Sequence, residues 1–200
     1  LMKKLLPLLL LVLVQTVCAG STSDLLLRLA TVNKEWNRQT DIAPVLLTAD
    51  VNPQNFNQWI AAHLMLVEQT LRNRDVSKLS PAQKQNRLNL LNELNGYWQA
   101  GVFPVNDYLL YQNPVFIDRV GTHCAVGFLM QQSGNDALAQ KINANEKFAY
   151  VHQIKTDGVK QWADKNGFTI DELAWIQPGY VPFVPCHDLD GGLNGAVKAI

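Results

Sequence analysis

The chain has 200 residues, with 17 basic against 17 acidic side chains, 48% hydrophobic and 17% charged. These values exclude a disordered polymer, a collagen-like chain and a strongly basic nucleic-acid binder, and three cysteines are too few for a disulfide-dense mini-protein. Asparagine and glutamine together number 32, so the surface should be polar more than charged.

Lys3 and Lys4 precede an apolar run from Leu5 to Val14, and Val17-Cys18-Ala19 follows with small residues at the −3 and −1 positions. This is the pattern of a secretory leader cleaved after Ala19, leaving a domain of about 180 residues with a real core. The run is too short to span the roughly 30 Å hydrocarbon core as a helix. A lipid anchor on Cys18 is the competing reading, weakened by Val17 in place of a small residue. Without residues 1–19 the charge becomes 15 basic against 17 acidic, which gives no electrostatic footprint for nucleic acid.

The elements then follow in order. Asp24 to Trp36 carries a leucine stripe that predicts a first helix. Asn52-Pro53 reads as an N-cap with proline at the first helical position. Beyond it Phe56, Trp59, Ile60, His63, Leu64, Val67 and Leu71 share one face of a helix of about 20 residues. His63 on that apolar face is read as a hydrogen-bonded core histidine, with a ligand role as the alternative. Ser80-Pro81-Ala82-Gln83 spells a capping box, with a stripe of Leu88, Leu91, Leu94 (or Asn95) and Trp98 and a stop at Gly101.

Residues 102–121 break this rhythm. Phe103-Pro104, Asn113-Pro114 and Gly121 punctuate an aromatic stretch, predicting a long irregular loop with a short strand at Val115–Ile117. A loop of that length exceeds what a plain connection needs. Thr122 should cap a helix Cys124–Gln132, Asn135 a helix to Asn145, Thr156 a helix to Lys165, and Thr169 with Glu172 a second capping box ending at Ile176. The expected fold is mostly α, a single domain over residues 20–185 with six or seven helices.

The phrases Asp118-Arg-Val-Gly-Thr-His-Cys-Ala125, Ser133-Gly134 and Ile176-Gln-Pro-Gly-Tyr180 resemble an uncharacterised family of exported bacterial proteins sharing G-T-x-C-A and I-Q-P-x-Y. The resemblance covers roughly residues 60 to 180. It implies an exported fold unit and carries no mechanism. The tail over residues 186–200, Gly191-Gly-Leu-Asn-Gly-Ala-Val-Lys-Ala-Ile200 in particular, resembles the opening of a β-propeller-type repeat. That would make the chain the front of a longer protein; an ordinary glycine-rich terminus is the plainer alternative.

Cys124 has several readings. In the first turn of a helix its thiolate would be favoured by the macrodipole, and with His152 or His187 as base it would be a catalytic nucleophile. After leader removal, however, Cys124 and Cys186 are an even pair, and a disulfide between them would contribute about 4 kcal/mol in the chain-entropy model. Inert thiols and metal ligation are the remaining options. Cys186-His187-Asp188 lacks zinc-type spacing, and no EF-hand, phosphate-loop, zinc-protease or serine-hydrolase signature occurs. Gly179 to Pro185 sets aromatics between prolines: either a strap packing Tyr180 and Phe183 onto the core, or part of a peptide- or glycan-binding surface with Tyr108 and Tyr111.

The sequence thus predicts an exported helical domain that binds or scaffolds in the cell envelope or outside it, toward a protein or glycan partner. A cysteine-dependent enzyme built on Cys124 is the competing class. No cofactor or metal is called for, nor any transmembrane segment once the leader is gone.

Overall fold

The computed structural model describes residues 19–183, with side chains from residue 22 onward. The leader (bar Ala19), Cys186, His187 and the 186–200 tail lie outside the described residues. Eight α-helices form a mostly α single domain: α1 (Ala19–Val32), α2 (Ala43–Thr48), α3 (Phe56–Asn73), α4 (Pro81–Ala100), α5 (Ala125–Gln132), α6 (Asp136–Glu146), α7 (Val159–Lys165) and α8 (Ile170–Ile176). Two 3₁₀ turns, Lys34–Arg38 and Val151–Gln153, complete it. Among the described residues there is no sheet, only isolated bridges.

The local stop and start signals act as chemistry requires. Ser80 Oγ accepts from the Gln83 amide while Gln83 reaches back to the Ser80 N–H, and Thr169 and Glu172 repeat the exchange at α8. Gly101 ends α4 in the left-handed region at φ 66°. Gly167 is needed for more than its φ of 70°: a Cβ there would stand 2.9 Å from the Gln83 carbonyl.

Several expectations are corrected. The first helix does not run to Trp36. It stops at Val32 because Asn33 turns extended, accepts from the Glu35 amide, and directs its own amide to the carbonyls of Ala174, Trp175 and Gln177 at the end of α8. Trp36 then enters the core edge-on against Trp175, 4.8 Å between centroids. Asn55, not Asn52, caps α3, and its side chain accepts from the Gln58 amide. Helix α2 was not anticipated. In α7, Gly158 at φ 103° precedes the helix while the Thr156 hydroxyl donates to Glu146 instead of capping.

The α4 face is rotated by one residue from the leucine stripe. Arg87, Leu90, Leu91, Leu94 and Tyr97 are buried, whereas Leu88 is exposed. Arg87 belongs inside because Glu172 of α8 waits there: two 2.8 Å bonds join guanidinium to carboxylate, and Arg87 also donates to the carbonyls of Gly167 and Leu71. Between α3 and α4, the buried Glu68 carboxylate accepts from Arg72, Asn95 and Trp98. A charge taken out of water needs this number of partners to be tolerated.

The 102–121 segment is irregular, as its prolines dictate, but it is not a surface excursion. Val115, Phe116 and Ile117 are buried, yet they form no strand; Ile117 makes a lone bridge to His123. Three buried polar side chains replace the missing ladder. Asp118 accepts from the amides of Val105, Val120 and Thr122. Asn113 donates to the carbonyls of Pro114 and Phe148, and Asn106 donates to those of Tyr111 and Tyr180.

Candidate functional site

Cys124 does not sit in the first turn of α5. It is the N-cap itself, where Sγ accepts from the Gly127 amide at 3.4 Å, and its own N–H donates to the Phe116 carbonyl at 2.8 Å. Its residue is 0% exposed. Burial pushes the thiol up to about 12, and the Gly127 and Val126 amides pull the other way without reversing it. The lowered thiol expected from the macrodipole is therefore corrected: at a closed, apolar N-cap, desolvation outweighs the helix end.

Around this sulfur stand two buried phenols. Tyr97 donates to the His123 carbonyl at 2.8 Å, while the Tyr180 hydroxyl, without a well-formed bond, faces Tyr97 and the Ala125 amide. Burial drives both phenols well above the ordinary tyrosine value. The G-T-x-C-A and I-Q-P-x-Y phrases thus meet in one packed node. Gln177, of the second phrase, accepts from the Val151 amide and donates to the Ala149 carbonyl.

The histidine proposed as base lies elsewhere. His152 Nε2 stands 3.8 Å from Glu35 and 3.7 Å from Asp171, at a cleft of about 480 Å³ between the 34–38 turn and the 150–153 turn. No histidine bonds the Cys124 sulfur among the described residues, so Cys124 and His152 are not assembled into a dyad. His63 is a core residue: Nδ1 accepts from Trp36 Nε1 at 2.8 Å, and burial lowers its pKa to about 3. Cys124 is a free thiol among the described residues; Cys186 and His187, its suggested disulfide and catalytic partners, lie outside them. No group of three or more His, Cys, Asp or Glu able to hold a metal occurs among the described residues.

The aromatic surface is partly assembled. Of the two readings of the strap, Tyr180 follows the one that packs it onto the core, 2% exposed, and so drops out of the aromatic surface. Its backbone pairs with Asn113, and the strap continues through Pro182, bridged to Asn106, with the Phe183 amide donating to the Asn106 carbonyl. This anchoring turns Phe183 outward, 58% exposed, beside a loop over residues 107–112 that carries Tyr111 at 62% and Leu110 at 98%. Tyr108 is half-buried under that loop, packed edge-on to Phe148. The Arg119 guanidinium lies 4.1 Å and the Lys147 ammonium 4.5 Å from its ring centroid, and Lys147 also donates to its hydroxyl. Leu110, Phe148, Arg119 and Lys147 were missed in the sequence; Tyr-Leu-Leu-Tyr set between Asn106 and Asn113 was the signal that could have found the first of them.

Comparison with protein-family models, with curated proteins and with solved structures returned no match to the chain. The resemblance to an exported bacterial family accordingly rests on the quoted phrases alone.

Proposed function

We propose that the protein is an exported binding or scaffolding module of the cell envelope or extracellular space, and that its working surface is the 102–121 loop with the 180–183 strap. One observation carries this reading. Of the twelve large apolar side chains exposed among the described residues, nine lie outside the helices, in the 102–120 loop, at Phe148 and Tyr150, and in the strap. An apolar concentration held out on a rigid, buried-polar frame is what a recognition surface needs and what a plain connection lacks. The leader-like residues 1–19 support the location. The Cys124 enzyme reading loses support, because a buried thiol pushed up to about 12 supplies neither a thiolate nor access for a substrate.

The test is site-specific photocrosslinking from position 110 or 183 in envelope preparations of a producing host, with position 88 on α4 as control. A discrete adduct from 110 and 183 that is absent from 88, and is competed by unlabelled protein, is the expected result. Equal labelling from all three positions overturns the reading.

A further inference from the structure

We infer that the amide-lined cleft between α4 and the ends of α5 and α7 is a binding site for an uncharged, hydroxyl-rich ligand, a saccharide unit. None of the residues lining it belongs to the 102–121 loop or the 180–183 strap, so the site is separate from the surface proposed above.

The cleft has a volume of about 410 Å³, within the roughly 300–1,000 Å³ usual for small-molecule sites. One wall is a single face of α4, where Asn86, Asn89 and Glu93 recur at i, i+3 and i+7. Gln132 and Ser133 at the end of α5, with Lys165 and Asn166 at the end of α7, form the rest. These walls are braced against one another. Asn86 Nδ2 donates to the Lys165 carbonyl and Gln83 Nε2 to the Asp164 carbonyl, which ties α7 to α4. Trp162 Nε1 donates to Ser133 Oγ at 2.8 Å, which ties α7 to α5. A frame ordered before the ligand arrives lowers the cost of binding it.

Hydrogen-bonding groups of both kinds stand uncommitted on these walls. Asn89 Oδ1 accepts from Gln85, but its Nδ2 donates to no group among the described residues. Asn86 uses only its donor, and the Gln132 amide makes no bond among the described residues. Asn166 is the decisive case, because the residue is only 4% exposed. Its Nδ2 donates to the Trp162 carbonyl, while its Oδ1 has no donor among the described residues and is still reached by solvent. An amide oxygen held in a buried residue and open to a cleft is matched by a donor on the ligand.

The class of ligand follows from what the walls offer. Small-molecule sites are lined mainly by apolar groups, yet Leu90 is the one apolar residue here, so an apolar ligand gains little. Glu93 and Lys165 carry one charge each, of opposite sign, so the cleft has no net charge for an ionic ligand. A hydroxyl both donates and accepts, and so satisfies either half of an amide. A molecule with hydroxyls on several sides fits donors and acceptors supplied by three helices. A peptide segment brings one amide plane per residue and apolar side chains with nowhere to pack.

The experiment probes an array of bacterial and host saccharides with the labelled full chain, then titrates each captured saccharide against variants. At least one saccharide should retain the wild type. Asn89→Ala and Gln132→Ala should each weaken that binding about fivefold, and the pair about tenfold or more. Both residues are exposed, so neither change puts folding at stake. Gln69→Ala, an exposed amide on α3 outside the cleft, should leave binding unchanged. If no saccharide retains the wild type above the double variant, or if Gln69→Ala costs as much, the cleft assignment is overturned. Capture that survives the double variant but is lost in Leu110→Asp places the saccharide on the loop, and overturns it equally.

Discussion

The α3–α4–α8 body and the 102–121 loop with its strap both bury polar groups, but they do so with different chemistry. In the body the buried groups are ions: Arg87 with Glu172, which join α4 to α8, and Glu68, whose carboxylate accepts from the more exposed Arg72 one turn on and from Asn95 and Trp98 of α4. In the loop they are short side chains, Asn106, Asn113 and Asp118, each bonded to backbone. Helices satisfy their own backbone and leave only side chains to be matched between elements; an irregular chain has to find partners for its N–H and C=O groups one at a time. The outer surfaces invert the pattern. The α3–α4–α8 body shows water a largely polar face, with Leu88 its one large exposed apolar side chain among the described residues, and the loop with its strap shows it leucine, tyrosine and phenylalanine.

Removing an ion from the body should produce the largest effect. Arg87→Ala takes two 2.8 Å bonds from the Glu172 carboxylate, leaving it the Thr169 amide and Arg74 at 3.4 Å, and removes a donor from two buried carbonyls; it should cost about 3–5 kcal/mol in urea unfolding. Replacing both partners by Met and Leu should restore much of that, since the loss comes from the stranded charge. If Arg87→Ala cost no more than a surface change, the body would not depend on its ions.

Acid separates the regions next. His63 lies in the body, and burial takes its pKa from 6.5 to about 3 in the folded chain. Between those values the unfolded chain holds one more proton than the native one, so stability falls as pH drops from about 6.5, by about 1.4 kcal/mol per unit, and levels off below about 3. Glu172 adds a later loss. Although burial opposes its ionisation, the Arg87 pair holds its carboxyl below the ordinary 4.5, so that contribution is present above 4.5 and disappears beneath it. The window from pH 6.5 to 4.5 therefore isolates His63. His63→Gln, which keeps an acceptor for the Trp36 N–H, should flatten the slope there, as read from urea midpoints at stepped pH. A slope unchanged by the substitution would place the titrating group elsewhere.

What could be read in the sequence divides along the same line. The Ser80 and Thr169 capping boxes, the Gly101 stop and the α3 face were legible because each is settled within one or two turns of chain. Arg87 was not, because the reason for burying it sits 85 residues away at Glu172. The break at Asn33 was hidden for the same cause, its acceptors being the carbonyls at 174–177. For the site, the sequence left Tyr180 and Phe183 between a core-packing strap and a binding surface. It could not divide them, Tyr180 inward and Phe183 outward, because only the bridges to Asn113 and Asn106 show which side of the strap faces in. Cys124 was legible as a residue of interest with several readings open; only its lowered thiol is contradicted, since its neighbours Tyr97 and Tyr180 help to bury it and neither is near it in sequence.

The smallest expected effect tests the loop. Asn106→Ala removes two donors and one acceptor that tie Tyr111, Tyr180 and Leu109 together, and loss of such bonds at a buried site costs about 1–3 kcal/mol. The cost should be local. The amides of residues 107–112 should gain hydrogen exchange before the α3 and α4 amides do, and the urea midpoint should move less than with Arg87→Ala. Leu110 would then lose its fixed position while the helical body stays folded, so the photocrosslink from position 110 should weaken with little change in global stability. If Asn106→Ala instead unfolds the body with it, the loop is not a separate frame carried by the helices. It would be a structural layer of the core, and the contrast between ion-stapled body and amide-stapled loop would reduce to a difference of side-chain type.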